Sequence, residues 1–408
     1  MSDPTKGNLL TGIRVLDISN FIAGPAAATI MADYGADVIK VESPKMGDAY
    51  RYFQSSPGNP PCELDYGWQV DNRNKRALAL DLTSAAGQAT LHRMIAHTDV
   101  AIVNAPLKAR PRLGLTFEAL EPLNPRLIYA SFTAYGESGP EAHKAGFDHT
   151  ALWARSGLMD TVRPAPDSPP ARAATGMGDH ASGMTLFAAI MAALFRRERT
   201  GKGAMVATNL MANGLWANAV QAQAMLFGAE YAYRPGRENA GNPLHNLYQS
   251  GDGRWFHLIA IPEEKRWADL TVALERPDLA VDPRFATTAD RHRNARDLIA
   301  ALDGIFSRHD LDHWIAAFDA AGITCGPVMR LRDIPDDVQM RESDALTPLG
   351  GVGDGDLMTV NSPLWIDGVN KRPASRAPAH GEHSREILCE FGFADSEIAD
   401  LTAAGIVK

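Results

Sequence analysis

Three cysteines in 408 residues, Cys62, Cys325 and Cys389, stand far apart with no C-x-x-C spacing. That scarcity excludes a disulfide framework and a cysteine zinc site. No window approaches the roughly eighteen uninterrupted apolar residues of a membrane span. The start, MSDPTKGNLLTGIRV, has no basic segment followed by an apolar run, so export is not expected and a cytoplasmic location is. Positive charge is short as well: 40 basic against 49 acidic residues give a net charge of −9. That balance opposes general nucleic-acid binding, where phosphate neutralisation supplies most of the affinity. A phosphate-bearing ligand would need a local basic cluster.

Several nucleotide and hydrolase signatures are missing. The first strand-to-helix turn reads S-N-F-I-A-G-P rather than G-x-G-x-x-G, and no G-x-x-x-x-G-K-[ST] occurs, which excludes nicotinamide and ATP sites of the usual kind. HGEH at 380–383 lacks the spacing that sets two histidines on one helical face, so no metal is assigned. GESGP has the wrong order for a nucleophile elbow.

What the chain does contain is alternation. GIRVLDIS (12–19), ADVIKVES (36–43), RALALDL (76–82), DVAIVNA (99–105) and RLIYASFTAYG (126–136) are β-rich runs separated by amphipathic stretches. This is the pattern of an α/β fold with a parallel sheet covered by helices. Pro25 suits the first turn of a helix, and Thr83 is placed to cap the one in SAAGQATLHRMIAHT. Ligand-contacting loops are expected at the carboxyl ends of such strands, near 19–25, 43–52, 104–112 and 136–147. YRPGRENAGNP (233–243) reads as a linker, and the pattern then changes to strands GRWFHLIAI and ITCGPVM around helical stretches. Residues 1–225 and 331–408 are therefore expected to form a large domain, and 226–330 a small one.

The stretch AATGMGDHASGMTLFAAIMAALFRRERTGKGA (173–204) carries the chemical question. From Asp179 the apolar residues Met184, Phe187, Met191 and Leu194 follow one helical face, ending at basic residues and Gly201. An aspartate before a helix is the ordinary N-cap. The same position would let helix-end amides keep a reactive carboxylate ionised.

Four segments in order, VLDISNFIAGPAAATIMADYGADVIKVESP, NRNKRALALDL, TDVAIVNAPLKARPRLGL and GDHASGMTLFAAIMAALFRRERTGKG, resemble the family III CoA-transferases. That group includes formyl-CoA:oxalate CoA-transferase and related acyl-CoA racemases. The resemblance implies a Rossmann-like large domain, a smaller α+β inserted domain and an interlocked homodimer. It implies acyl-CoA and carboxylic acid substrates, with no tightly bound cofactor. It assigns Asp179, in G-D-x-x-[SGT]-G, as the nucleophile and Asp148 as a supporting acid. It also assigns Asn104 and Arg112 to CoA, with Lys75, Arg76 and Lys144 as further basic contacts and Phe21 and Ala23 lining the thiol-bearing arm. Ser43 stands where relatives carry a basic residue, and Lys45 or Arg51 is a candidate to replace it.

The family's racemases have A-G-H-D where this chain has KAGFDHTALW. Phe147 occupies the histidine position, and phenylalanine exchanges no proton. A CoA-transferase is the expected activity; an acyl-CoA racemase or isomerase and a non-catalytic acyl-CoA-binding protein are the alternatives.

Overall fold

Five nearly continuous apolar runs and one mixed, partly exposed edge strand form a six-stranded parallel sheet in a computed structural model that describes residues 8–353 and 356–408. In chain order the elements are β1 (Arg14–Ile18), α1 (Ala23–Asp33), β2 (Asp37–Glu42), α2 (Tyr66–Asn72), β3 (Arg76–Ala79), α3 (Ala85–Ile95) and β4 (Val100–Val103). Short helices α4 (Arg110–Leu113) and α5 (Phe117–Leu120) lead to β5 (Ile128–Thr133), followed by α6 (Leu158–Thr161), α7 (Met177–Thr200) and β6 (Ala204–Asn209). The strand order is β3-β2-β1-β4-β5-β6, with every neighbouring pair parallel. Between β1 and β4 the order reverses, and the loops leaving these two strands part to opposite faces, which opens a crevice at their carboxyl ends.

Alternation along each strand builds two cores. Val15, Val38, Val100, Ile102, Ile128 and Ala130 face α1 and α7. Leu16, Ile39, Leu78, Ala101, Val103 and Tyr129 face the opposite way, onto α3 and the end of the chain. There Ile387, Leu388, Phe391 and Ile398 cover the sheet, and Val407 bridges Leu80. Helices α1 and α7 approach almost backbone to backbone: a Cβ on Gly183 would lie 2.8 Å from the Ala23 carbonyl oxygen. Only glycine permits that spacing, which sets the start of α7 beside the loop after β1.

The chain divides into two compact units. One comprises the described residues of Met1–Leu158, Arg172–Gln223 and Val338–Lys408 and holds the parallel sheet; the other comprises Met159–Ala171 and Ala224–Asp337. In the first, α8 (Leu210–Ala217) and α9 (Ala219–Leu226, its last residues in the second) are separated by Asn218. In the second, β7 (His245–Gln249), β8 (Trp255–Ile259) and β9 (Thr324–Pro327) make an antiparallel sheet with an aromatic core.

Two local expectations change. Ser84, not Thr83, caps α3, its hydroxyl accepting from Gly87 N at 3.0 Å, because Thr83 is held by the Asp81 carboxylate. Helix α7 starts at Met177, with left-handed Gly176 as its N-cap, so Asp179 lies inside the first turn rather than before it.

Candidate active site

The loop after β1 is held from beneath by buried charge. Asp17, on β1, accepts from Ser19 N at 3.2 Å and from the Ser19 hydroxyl, and pairs with Lys75 Nζ at 2.8 Å. Lys40, opposite Asp17 in register, donates to the Ser19 carbonyl and to Asp48 at 2.9 Å. Asp48 accepts from Phe21 N through both oxygens at 3.1 Å, which fixes Phe21 in the left-handed region at φ 64°. Strain of this kind at a non-glycine residue persists where surrounding bonds over-determine it. Burial works against ionised Asp17, yet Lys40 and Lys75 outweigh it and hold the carboxyl below its ordinary range. Burial, with Lys40 behind it, pulls Lys75 down to about 8 despite Asp17.

Across the switch point Asn20 and Asn104 exchange two hydrogen bonds, Asn20 N to Asn104 Oδ1 at 2.9 Å and Asn104 Nδ2 to Asn20 O at 2.7 Å. Beside them opens a cavity of about 540 Å³. Phe21, Ala23, Asn104, Lys144, Asp148 and Asp179 all line it, so six of the expected site residues meet in one place. Phe147, in the racemase histidine position, stands edge-on to Phe21 with ring centroids 5.9 Å apart. His149 also lines the cavity, its Nε2 3.0 Å from the Ala173 carbonyl oxygen.

Three expected CoA contacts do not line the cavity. Lys75 is buried, its ammonium spent on Asp17, Asn72 and the carbonyls of Pro25 and Asp71. Arg76, the first residue of β3, is held by Asp37, Glu386 and Glu390 and does not line the cavity. Arg112 is exposed on α4, outside the lining. Arg51 is committed as well, gripping Glu42 at 2.7 Å and stacking 3.7 Å over the Trp68 ring.

The start of α7 answers whether Asp179 is a cap. Asp148 Oδ2 accepts from Gly176 N at 3.1 Å and Gly178 N at 3.3 Å, so a carboxylate from about thirty residues earlier takes the helix-end amides. A Cβ on Gly178 would overlap Asp148, hence the glycine. No donor among the described residues reaches the Asp179 carboxylate, although it faces the cavity. The expectation that helix-end amides keep Asp179 ionised is corrected here: the Gly176 and Gly178 amides are taken by Asp148, and among the described residues none reaches the Asp179 carboxylate. Burial first and Asp148 second push the Asp179 carboxyl up to about 7, against the pull of His180. Burial also raises Asp148, whose Oδ1 is buried without a partner among the described residues.

Three neighbours were not anticipated. His180 Nε2 lies 2.9 Å from Asp71 Oδ1, and Asp71 Oδ2 accepts from the Tyr50 hydroxyl at 2.9 Å. A histidine beside an acidic motif residue is visible in the sequence; its partner 109 positions earlier is not.

A parallel sheet with a partly apolar cavity at its switch point, and a carboxylate in the first turn of a helix that has no hydrogen-bond partner among the described residues, defines an α/β enzyme that works on a ligand held at the strand ends. Comparison with known proteins narrows this. Residues 10–384 match the model of CoA-transferase family III, and the chain belongs to that family. It is 31% identical over 397 residues to the cinnamoyl-CoA:phenyllactate CoA-transferase of Clostridium sporogenes, covering 97% of this chain and 96% of that one. It is 30% identical over 408 residues to the succinyl-CoA:glutarate CoA-transferase of Mus musculus, covering 100% and 92%. A crystal structure of a CaiB/BaiF family protein from Brucella suis superposes with a TM-score of 0.84 at 29% identity, over 95% of this chain and 100% of that one. The protein is a CoA-transferase, moving CoA from an acyl-CoA donor to a carboxylic acid acceptor.

Proposed function

We propose that the transfer runs through Asp179 as a covalent carrier. An Asp179 oxygen bonds to the thioester carbonyl carbon of the donor, and the carbon–sulfur bond breaks to give a mixed anhydride and CoA thiolate. The thiolate sulfur then attacks the aspartyl carbonyl carbon, and the donor leaves as its carboxylate. An aspartyl-CoA thioester remains. The acceptor carboxylate attacks that thioester and expels the thiolate, which attacks the acceptor carbonyl in turn and frees Asp179. One carboxylate replaces another at each stage, so no net proton or ATP is required.

The observation that carries this reading is the division of labour between two aspartates: Asp148 takes the amides, and Asp179 faces the cavity with its oxygens free among the described residues. Asp148 supports the nucleophile by fixing the start of α7 and orienting the acid substrate. Phe21 and Ala23 line the pantetheine arm; Asn104, Lys144 and Arg112 serve the CoA site. Phe147 supplies no base for α-proton exchange, which favours transfer over racemisation. The family resemblance supports a cytoplasmic homodimer with 226–330 as the inserted domain and no tightly bound cofactor.

Incubation with acyl-CoA alone, then hydroxylamine and mass measurement of the peptide containing Asp179, is expected to give the hydroxamate, and added acceptor acid to deplete it. Asp179→Ala is expected to abolish exchange while CoA binding persists. An unmodified peptide during turnover, or exchange surviving the substitution, overturns the reading.

A further inference from the structure

His180 sits next to the nucleophile and is bound in a way that dictates its charge. Nδ1 lies 2.9 Å from the Gly176 carbonyl oxygen and Nε2 lies 2.9 Å from Asp71 Oδ1. A carbonyl oxygen and a carboxylate only accept, so both ring nitrogens must donate, and only the imidazolium does that. Asp71 is 1% exposed, and its other oxygen is occupied by the Tyr50 hydroxyl, which faces it from the turn Ala49–Ser55.

We propose that His180 is a positioning residue: clamped by Asp71 and Gly176, it keeps a fixed positive charge beside Asp179 and thereby holds the nucleophile ionised. This rests on the reading of Asp179 as the covalent carrier. The need for such a charge is structural. The helix-end amides at Gly176 and Gly178 are spent on Asp148, and the charged groups that act on Asp179 are Asp148 from the turn 148–154, Asp71 from α2 and His180 from its own helix; Tyr50, its hydroxyl given to Asp71, faces it as well, and His143, Lys144 and His149 line the same cavity. Asp148 and Asp71 are carboxyls that disfavour the anion, and His180 acts against them to favour it. The His180 ring is half exposed; its partial loss of water opposes the charge, but the hydrogen bond and charge of Asp71 outweigh that and raise the imidazole to about 9.

The test is the pH profile of exchange at saturating acyl-CoA. The acid limb is expected near pH 7 in the unaltered enzyme, rising as Asp179 ionises. In His180→Asn the limb moves up by about one unit, the low end for removing a close opposite charge. That is roughly a tenfold loss at pH 6 and less than about twofold at pH 9. Asp71→Asn moves the limb up by less than His180→Asn does, because His180 then loses its proton earlier while the loss of the Asp71 charge itself partly offsets the effect; His180→Lys, which restores charge without the ring, returns it towards 7. A purely structural residue would lower the rate alike at every pH, and an unmoved limb in His180→Asn overturns the proposal. If Asp179→Ala retains exchange, the nucleophile assignment falls instead. Deuterium exchange at the His180 Cε1 position, read by mass spectrometry on the unaltered enzyme, tests the clamp without any variant. A midpoint near 9 supports it, and one at or below the free-imidazole value of about 6.5 overturns it.

Discussion

The two compact units bury different things. In the unit of Met159–Ala171 and Ala224–Asp337, the core is aromatic: Tyr248, Phe256, Phe306, Trp314 and Phe318 pack with ring centroids 4.9 to 6.2 Å apart. In the parallel-sheet unit, Asp17, Lys40, Asp48, Asp71 and Lys75 are buried together beneath one loop and one helix start. Buried ion pairs are weak sources of stability, because desolvation offsets most of their attraction. Their value lies in fixing geometry, and here the fixed geometry is that of Ser19, Phe21 and His180 around the cavity. The aromatic core is what hydrophobic burial alone would select; the charged cluster is what a site would select.

Breaking the charged cluster should therefore have the larger effect, on stability and activity together. Lys75→Met takes from buried Asp17 its ion-pair partner, leaving it the charge of Lys40 and the hydrogen bonds of Ser19, and is expected to cost about 3 kcal/mol in urea unfolding. Exchange activity should fall as well, since Asp17 holds Ser19. Adding Asp17→Asn should recover stability while activity stays low. If the double variant regains activity, the cluster is not a positioning device.

The aromatic unit offers the converse. Leu302 is fully buried against that core. Leu302→Ala is expected to cost about 2–4 kcal/mol through lost packing and a residual cavity. Faster amide exchange should appear in peptides of that unit, with kcat and KM at 25 °C within about twofold of the unaltered enzyme. A large change in KM would remove the contrast between the two cores.

Sequence and structure agree where a residue's fate depends on its neighbours in the chain. Strands β1 to β5 are nearly continuous apolar runs, the mark of strands covered on both faces, and were legible. Strand β6 was missed because AMVATN is partly exposed at the sheet edge and carries no such run. Asn104, Phe21 and Ala23 follow strand ends and were found by that rule. Lys75 misled for the opposite reason: a lysine in N-R-N-K looks like a surface cation, and nothing local reveals four acceptors drawn from Asp17, Pro25, Asp71 and Asn72. Asp148 as the cap of α7 and Asp71 as the partner of His180 are long-range pairings, set by how α1, α2 and α7 stack rather than by any spacing.

The smallest expected effect separates a rim charge from a buried one. Arg112 is exposed on α4, whose left-handed Gly114 ends the helix, and it lies outside the cavity lining. If its guanidinium meets a CoA phosphate at the rim, water and counterions screen the attraction, and such exposed pairs contribute little. Arg112→Ala is then expected to raise KM for acyl-CoA about two- to fivefold, to leave kcat unchanged, and to lose most of that effect at high salt. Lys75→Met should instead act at every ionic strength, because no counterion reaches Asp17. Steady-state kinetics of the two variants across a salt series measures the difference directly. Parallel salt curves would mean that Arg112 acts through the fold and not through the ligand.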